Sequence, residues 1–194
     1  MEPRYLYHIY NRGNNNELIF REEKNYYFFL QNFSKYVKPY VKVFAYCLMP
    51  NHFHFLIEIK RGSIDKVDGT TQLNKVFLNP VEKAFKDFFI KYSKSFNKTY
   101  SRFGSLFQHK FKRKLIEDEK YLTRLIAYIH YNPVRKNLCD NINEWKFSSY
   151  NEIITGKQFI VNNMDILLFF GELDNFIEFH KCYSDSVEDK NTFY

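Results

Sequence analysis

Tyr40-Val-Lys-Val-Phe-Ala-Tyr-Cys-Leu48 and Phe53-His-Phe-Leu-Ile-Glu-Ile59 are two runs of β-forming residues, separated by Met49-Pro50-Asn51. Two such runs joined by turn chemistry predict a hairpin whose strands pair antiparallel. The second run also sets the chemistry. His52 and His54 are two residues apart, so on a strand their side chains project from one face and their imidazoles can converge on a single ion. The neighbouring Phe53, Phe55 and Leu56 are expected to pack around them, which would place two ionisable rings in an apolar setting.

Upstream of the hairpin, residues 4–10 (Arg-Tyr-Leu-Tyr-His-Ile-Tyr) alternate as a strand and stop at Asn11-Arg12-Gly13-Asn14-Asn15-Asn16, a turn sequence. Tyr26, Phe29, Leu30, Phe33 and Val37 then recur at helical spacing, and Pro39 ends that helix. Downstream, the stretch 61–78 is polar and reads as a loop. Asn79-Pro80-Val81-Glu82 supplies an N-cap, a proline in the first turn and a capping glutamate for a helix to about Tyr100. A basic strand is expected from Leu106 to Leu115. A third helix is expected over 118–131, closed by Pro133 because the proline ring opposes continuation. The order strand, helix, strand, strand, helix, strand, helix describes an α+β domain: a ferredoxin-like or RRM-like antiparallel sheet with helices packed on it.

Composition narrows the class of partner. Residues 1–150 carry 26 Lys or Arg against 14 Asp or Glu, while 151–194 carry 3 against 8, so a basic body is followed by an acidic and mostly helical extension. We therefore expect a domain over 1–150 and an appendage over 151–194. The basic body suggests a polyanion, and the 20% aromatic content supplies rings that can stack on unpaired bases. No apolar run approaches the length of a bilayer span and the first residues lack a signal-peptide plan, so a soluble cytoplasmic protein without membrane contact is expected. Three widely spaced cysteines, Cys47, Cys139 and Cys182, fit neither a disulfide framework nor a cysteine-rich zinc site.

Two histidines are too few to hold an ion, so a third ligand has to come from elsewhere. The helix that ends at Asn132-Pro133 offers an amide oxygen and a tyrosine hydroxyl, because Tyr128 and Asn132 are four apart and share a helical face. A tyrosine is a weak nucleophile near its ordinary pKa of about 10 and needs a nearby cation. Spacing alone does not separate Tyr128 from Tyr121 or Tyr131.

Leu48-Met-Pro-Asn-His-Phe-His-Phe-Leu-Ile57 resembles the His-hydrophobe-His (HUH) motif of the single-tyrosine transposases, the IS200-like family. Phe96 to Gln108, Tyr128-Ile-His-Tyr-Asn-Pro-Val134, Tyr10-Asn-Arg-Gly13 and Trp145-Lys-Phe-Ser-Ser-Tyr150 are similar to further blocks of its REP-associated branch. These blocks fall in the family order over roughly residues 5–150. The resemblance implies a homodimeric transposase that cleaves and rejoins single-stranded DNA, often beside a small hairpin, through a 5′-phosphotyrosine. It makes Tyr128 the nucleophile and His52, His54 and Asn132 the metal ligands. It also implies Mg²⁺ or Mn²⁺, although two imidazoles would ordinarily favour a softer ion. Arg12, Arg102, Lys110, Lys112, Arg113 and Arg135 are the cations expected along the DNA, mostly as phosphate contacts. Two other classes remain open: an RRM-like single-strand binding module without catalysis, and a metal-dependent hydrolase that uses water.

Overall fold

The computed structural model describes residues 1, 5–61, 79–108 and 110–185. The expected loop over 61–78 therefore lies almost wholly outside the described residues, as does the end of the acidic extension. Four strands form one antiparallel sheet: β1 (Leu6–Arg12), β2 (Val41–Met49), β3 (His52–Ile59) and β4 (Lys112–Ile116), in the order β2-β3-β1-β4. With α1 (Glu23–Tyr36) after β1 and α2 (Pro80–Thr99) after β3, this is the ferredoxin-like arrangement expected from the pattern.

Residue parity divides the sheet into two faces. Phe53 and Phe55 point to the side covered by α1 and α2, where Phe33 stacks on Phe55 at 4.2 Å between ring centroids and Phe89 on Phe53 at 5.7 Å. His52 and His54 point to the opposite side, which α3 (Glu119–Arg135) crosses. This corrects the expectation that Phe53 and Phe55 surround the histidines. Successive strand residues alternate faces, so the aromatics flanking a His-x-His pair must belong to the other core.

The β2–β3 turn is buttressed by the segment after β1. The Gly13 amide donates to the Asn51 carbonyl at 2.8 Å, and the amides of Ile19 and Phe20 donate to the Pro50 carbonyl at 2.8 and 3.0 Å. Gly13 is required by close approach: a Cβ there would lie 2.1 Å from the Glu17 carbonyl oxygen. The far edge of β2 is closed by the Trp145 to Ser148 stretch. The Leu48 amide donates to the Phe147 carbonyl and the Trp145 indole to the Leu48 carbonyl, both at 2.9 Å.

Two boundaries differ from expectation. The basic strand, expected from Leu106, begins at Lys112, because Lys110 at φ 39° breaks the extended run and the pairing with β1 ends at Tyr10, opposite Lys112. Phe107 keeps a single bridge to Gly13. The third helix does not stop before Pro133 but runs to Arg135 with the proline inside. A proline in the last turn forfeits one hydrogen bond, and the bond from the Asn132 side-chain Nδ2 to the Tyr128 carbonyl (3.1 Å) together with burial of Ile129, His130 and Asn132 outweighs that loss.

The extension begins within α4 (Ser149–Ile154) and goes on through α5 (Asn163–Phe170) and α6 (Leu173–Asp185). It packs against β2 and α3 through Phe44 against Phe169, an ion pair between Lys42 and Asp165, and Tyr131 against Tyr183. Among the described residues, no helix is long and apolar enough to cross a membrane.

Candidate active site

Antiparallel register builds the site. On β1, Leu6, His8, Tyr10 and Arg12 share a face, and β3 places His54 opposite Tyr10 and His52 opposite Arg12. The result is an aromatic stack across the sheet. Tyr10 lies 4.8 Å from His8 and 5.8 Å from His54, and His54 meets His52 edge-on at 5.4 Å. Tyr128 closes the group from above, its ring edge-on to His54 with 5.9 Å between centroids. Side chains 74 residues apart in sequence therefore meet, because α3 is laid over the histidine face of the sheet.

Hydrogen bonds orient both imidazoles. Nδ1 of His52 lies 2.6 Å from Oδ1 of Asn51, and Nδ2 of Asn51 donates to Oδ1 of Asn16 at 2.6 Å. Nδ1 of His54 lies 2.8 Å from Nε2 of His8. Nε2 of His52 is buried with no hydrogen-bond partner among the described residues. A buried nitrogen left unsatisfied is costly unless something else claims it, which is the condition expected of a metal ligand.

The electrostatics keep these rings neutral. Burial lowers the pKa of His52 to about 4, helped by the charges of Arg12 and Lys136. Burial carries His8 to about 3, with Lys114 adding to it, and lowers His54 well below the ordinary imidazole value. A neutral imidazole offers the lone pair that coordination requires. Among the described residues, no three His, Cys, Asp or Glu side chains are placed to hold one ion. Among the described residues, a third protein donor would be of another type. Asn132, buried one turn after Tyr128, commits its amide nitrogen to the Tyr128 carbonyl, so its Oδ1 is the atom suited to a cation.

The six expected DNA-contacting cations separate by location. Arg12 and Lys112 line the cleft that holds His52 and His54, together with Tyr10, Asn11 and Gln108. Arg135 lies over the Tyr128 ring at 5.2 Å. Lys110 and Arg113 border a separate groove between α2 and the loop before β4, and Arg113 is paired with Glu82. Arg102 is held elsewhere: Nε donates to Glu17 at 2.7 Å, and its other nitrogens donate to Asn97 and to the carbonyls of Phe103, Gly104 and Ser105.

Reading the sequence missed His8, Tyr10, Asn51 and Lys136 as neighbours of the histidine pair. Lys136, the C-cap of α3, borders a second cleft with Arg12 and His52. The available signal was parity, since His8 and Tyr10 alternate on a strand. Linking that alternation to His54, however, needs the β1–β3 register.

No family model matches the chain. A Haemophilus influenzae protein named "Putative REP-associated tyrosine transposase" is 26% identical over 107 residues, which cover 55% of this chain and 57% of that protein. The chain thus spans little more than half the length of that curated relative. A solved structure of a REP-associated tyrosine transposase bound to a REP hairpin superposes with a TM-score of 0.57 over 86% of this chain and 88% of that one. At 13% identity, that likeness bears on the fold. In sequence and in fold together, the chain is similar to the REP-associated tyrosine transposases, the branch that its motifs resemble.

Proposed function

We propose that this chain is a metal-dependent single-tyrosine transposase that breaks and rejoins single-stranded DNA, with Tyr128 as nucleophile. The observation that carries the reading is the placement of Tyr128 against His54 on the histidine face of the sheet. The similarity to REP-associated transposases supports it.

The Tyr128 oxygen attacks phosphorus as its phenolic proton leaves. A phosphotyrosine bond forms to the 5′ side, the bond to the 3′ oxygen breaks, and that oxygen takes up a proton. One phosphoester replaces another, so a 3′-hydroxyl can reverse the step on a different end without an external energy source. Mg²⁺ or Mn²⁺ held by His52, His54 and Asn132 would supply Lewis-acid polarisation of the phosphate. Arg12 and Lys112, on the cleft wall, hold the phosphates flanking the scissile bond. Tyr128 is only 2% exposed, so the strand reaches it by widening the cleft or lifting α3. A hairpin with a flanking single strand is the proposed substrate, by analogy with the hairpin bound by the solved relative. A homodimer, implied by the resemblance, belongs to the same proposal.

The test is incubation with Mn²⁺ and an end-labelled single-stranded hairpin oligonucleotide, resolved on a denaturing gel. Label attached to the protein is expected, and Tyr128→Phe should abolish it while DNA binding stays near normal. Cleavage without attachment would point to a hydrolase, and binding without cleavage to a non-catalytic module.

A further inference from the structure

We propose that Asn51 and His8 are positioning residues that decide which nitrogen of His52 and of His54 faces the site, with Asn16 steadying Asn51. The inference rests on His52 and His54 being metal ligands.

A neutral imidazole carries one N–H and one lone pair, and only the lone pair coordinates. Which nitrogen holds it is set by the partner of the other nitrogen. Oδ1 of Asn51 can only accept, and it lies 2.6 Å from Nδ1 of His52. The proton therefore sits on Nδ1 and the lone pair on Nε2, the buried nitrogen without a hydrogen-bond partner among the described residues. Asn51 would have to turn its amide over to offer a donor instead. Its bond to Oδ1 of Asn16 opposes that, because Asn16 would have to turn as well. Asn16 sits at φ 61°, a left-handed backbone that asparagine tolerates better than most residues, and the sequence places three asparagines at this bend.

His54 poses the same question with a different partner. One proton is shared along the 2.8 Å line between its Nδ1 and Nε2 of His8. With the proton on His54, the lone pair of that ring lies on Nε2. With the proton on His8, Nε2 of His54 is protonated and coordinates nothing. His8 acts as the acceptor that makes the first arrangement possible. It is not itself a third ligand, since the nitrogen nearest the pair is committed to His54 and no three-histidine set is placed for one ion among the described residues.

The experiment is two-bond ¹⁵N–¹H spectroscopy on metal-free protein labelled at histidine nitrogen, paired with Mn²⁺ titration by calorimetry. We expect Nδ1 protonated in both His52 and His54. Asn51→Asp and His8→Gln keep an acceptor in place and should preserve the pattern. Asn51→Leu and His8→Phe remove it and should mix the tautomers and weaken Mn²⁺ binding roughly ten- to a hundred-fold. Circular dichroism and thermal unfolding check each fold, and if an apolar variant does not fold, the wild-type tautomers still decide. Nε2 protonation of His52 in the wild type, or unchanged tautomers and Mn²⁺ affinity in folded apolar variants, would overturn the proposal. If the tautomers are as expected and the DNA assay yields no protein adduct, the transposase reading falls and the positioning roles stand.

Discussion

Arg102 illustrates how a residue's neighbours decide its role. It falls in a motif block and reads as a DNA contact, yet its side chain is 12% exposed and its guanidinium ties Glu17 to the loop at residues 103–105. Hydrogen bonds involving a charged group contribute about 1.5–3 kcal/mol when made and cost more when one partner is stranded. Arg102→Ala should therefore lower stability by about 2 kcal/mol in urea unfolding while changing single-stranded DNA affinity little. Arg12→Ala and Lys112→Ala should do the reverse. A loss of DNA affinity in Arg102→Ala without loss of stability would return this residue to the phosphate path.

At the scale of elements, the loop between α4 and α5 is held by one carboxylate. Oε1 of Glu152 accepts from the amides of Phe159, Ile160 and Val161 at 2.6, 2.6 and 2.7 Å, and Oε2 accepts from the Tyr46 hydroxyl at 3.2 Å. This joins the start of the extension to β2. Glu152→Ala strands three amides and the Tyr46 hydroxyl and should destabilise by about 2–4 kcal/mol, whereas Glu152→Gln keeps an acceptor and should cost less. Equal midpoints for the two variants in urea would show that the carboxylate is not the anchor. The shift of β4 and the extension of α3 past Pro133 belong to this scale too. Local propensity points to both expected boundaries, and each moves where the left-handed backbone at Lys110 or the packing of a helical turn outweighs it.

The whole molecule is linked by a buried chain of polar groups. His180 of α6 meets His130 of α3 at 2.8 Å, His130 meets the Ser149 hydroxyl at 2.7 Å, and that hydroxyl bonds the backbone of Tyr46 in β2. Burial lowers the pKa of His180 to about 4, partly offset by its bond to the Phe176 carbonyl. The unfolded chain takes up this proton near 6.5 while the folded one refuses it until about 4. Stability from this group is therefore complete above 6.5 and is lost as pH falls towards 4, by at most about 3 kcal/mol. His8 and His52 act in the same direction. Urea midpoints should fall from pH 7 to pH 5, and a flat or rising trend would contradict the burial of neutral rings. The sequence by itself determined the hairpin, the alternation that puts His52 and His54 on one face, the order of elements and the motif blocks. These are local, since they depend on turn chemistry and on periods of two and 3.6 residues. Only the tertiary structure decided that His8 stands behind His54, that Tyr128 lies against it, and that Arg102 is spent on a loop. Those facts depend on strand register and on where α3 crosses the sheet, and no local pattern carries the spatial offset between segments far apart in the chain.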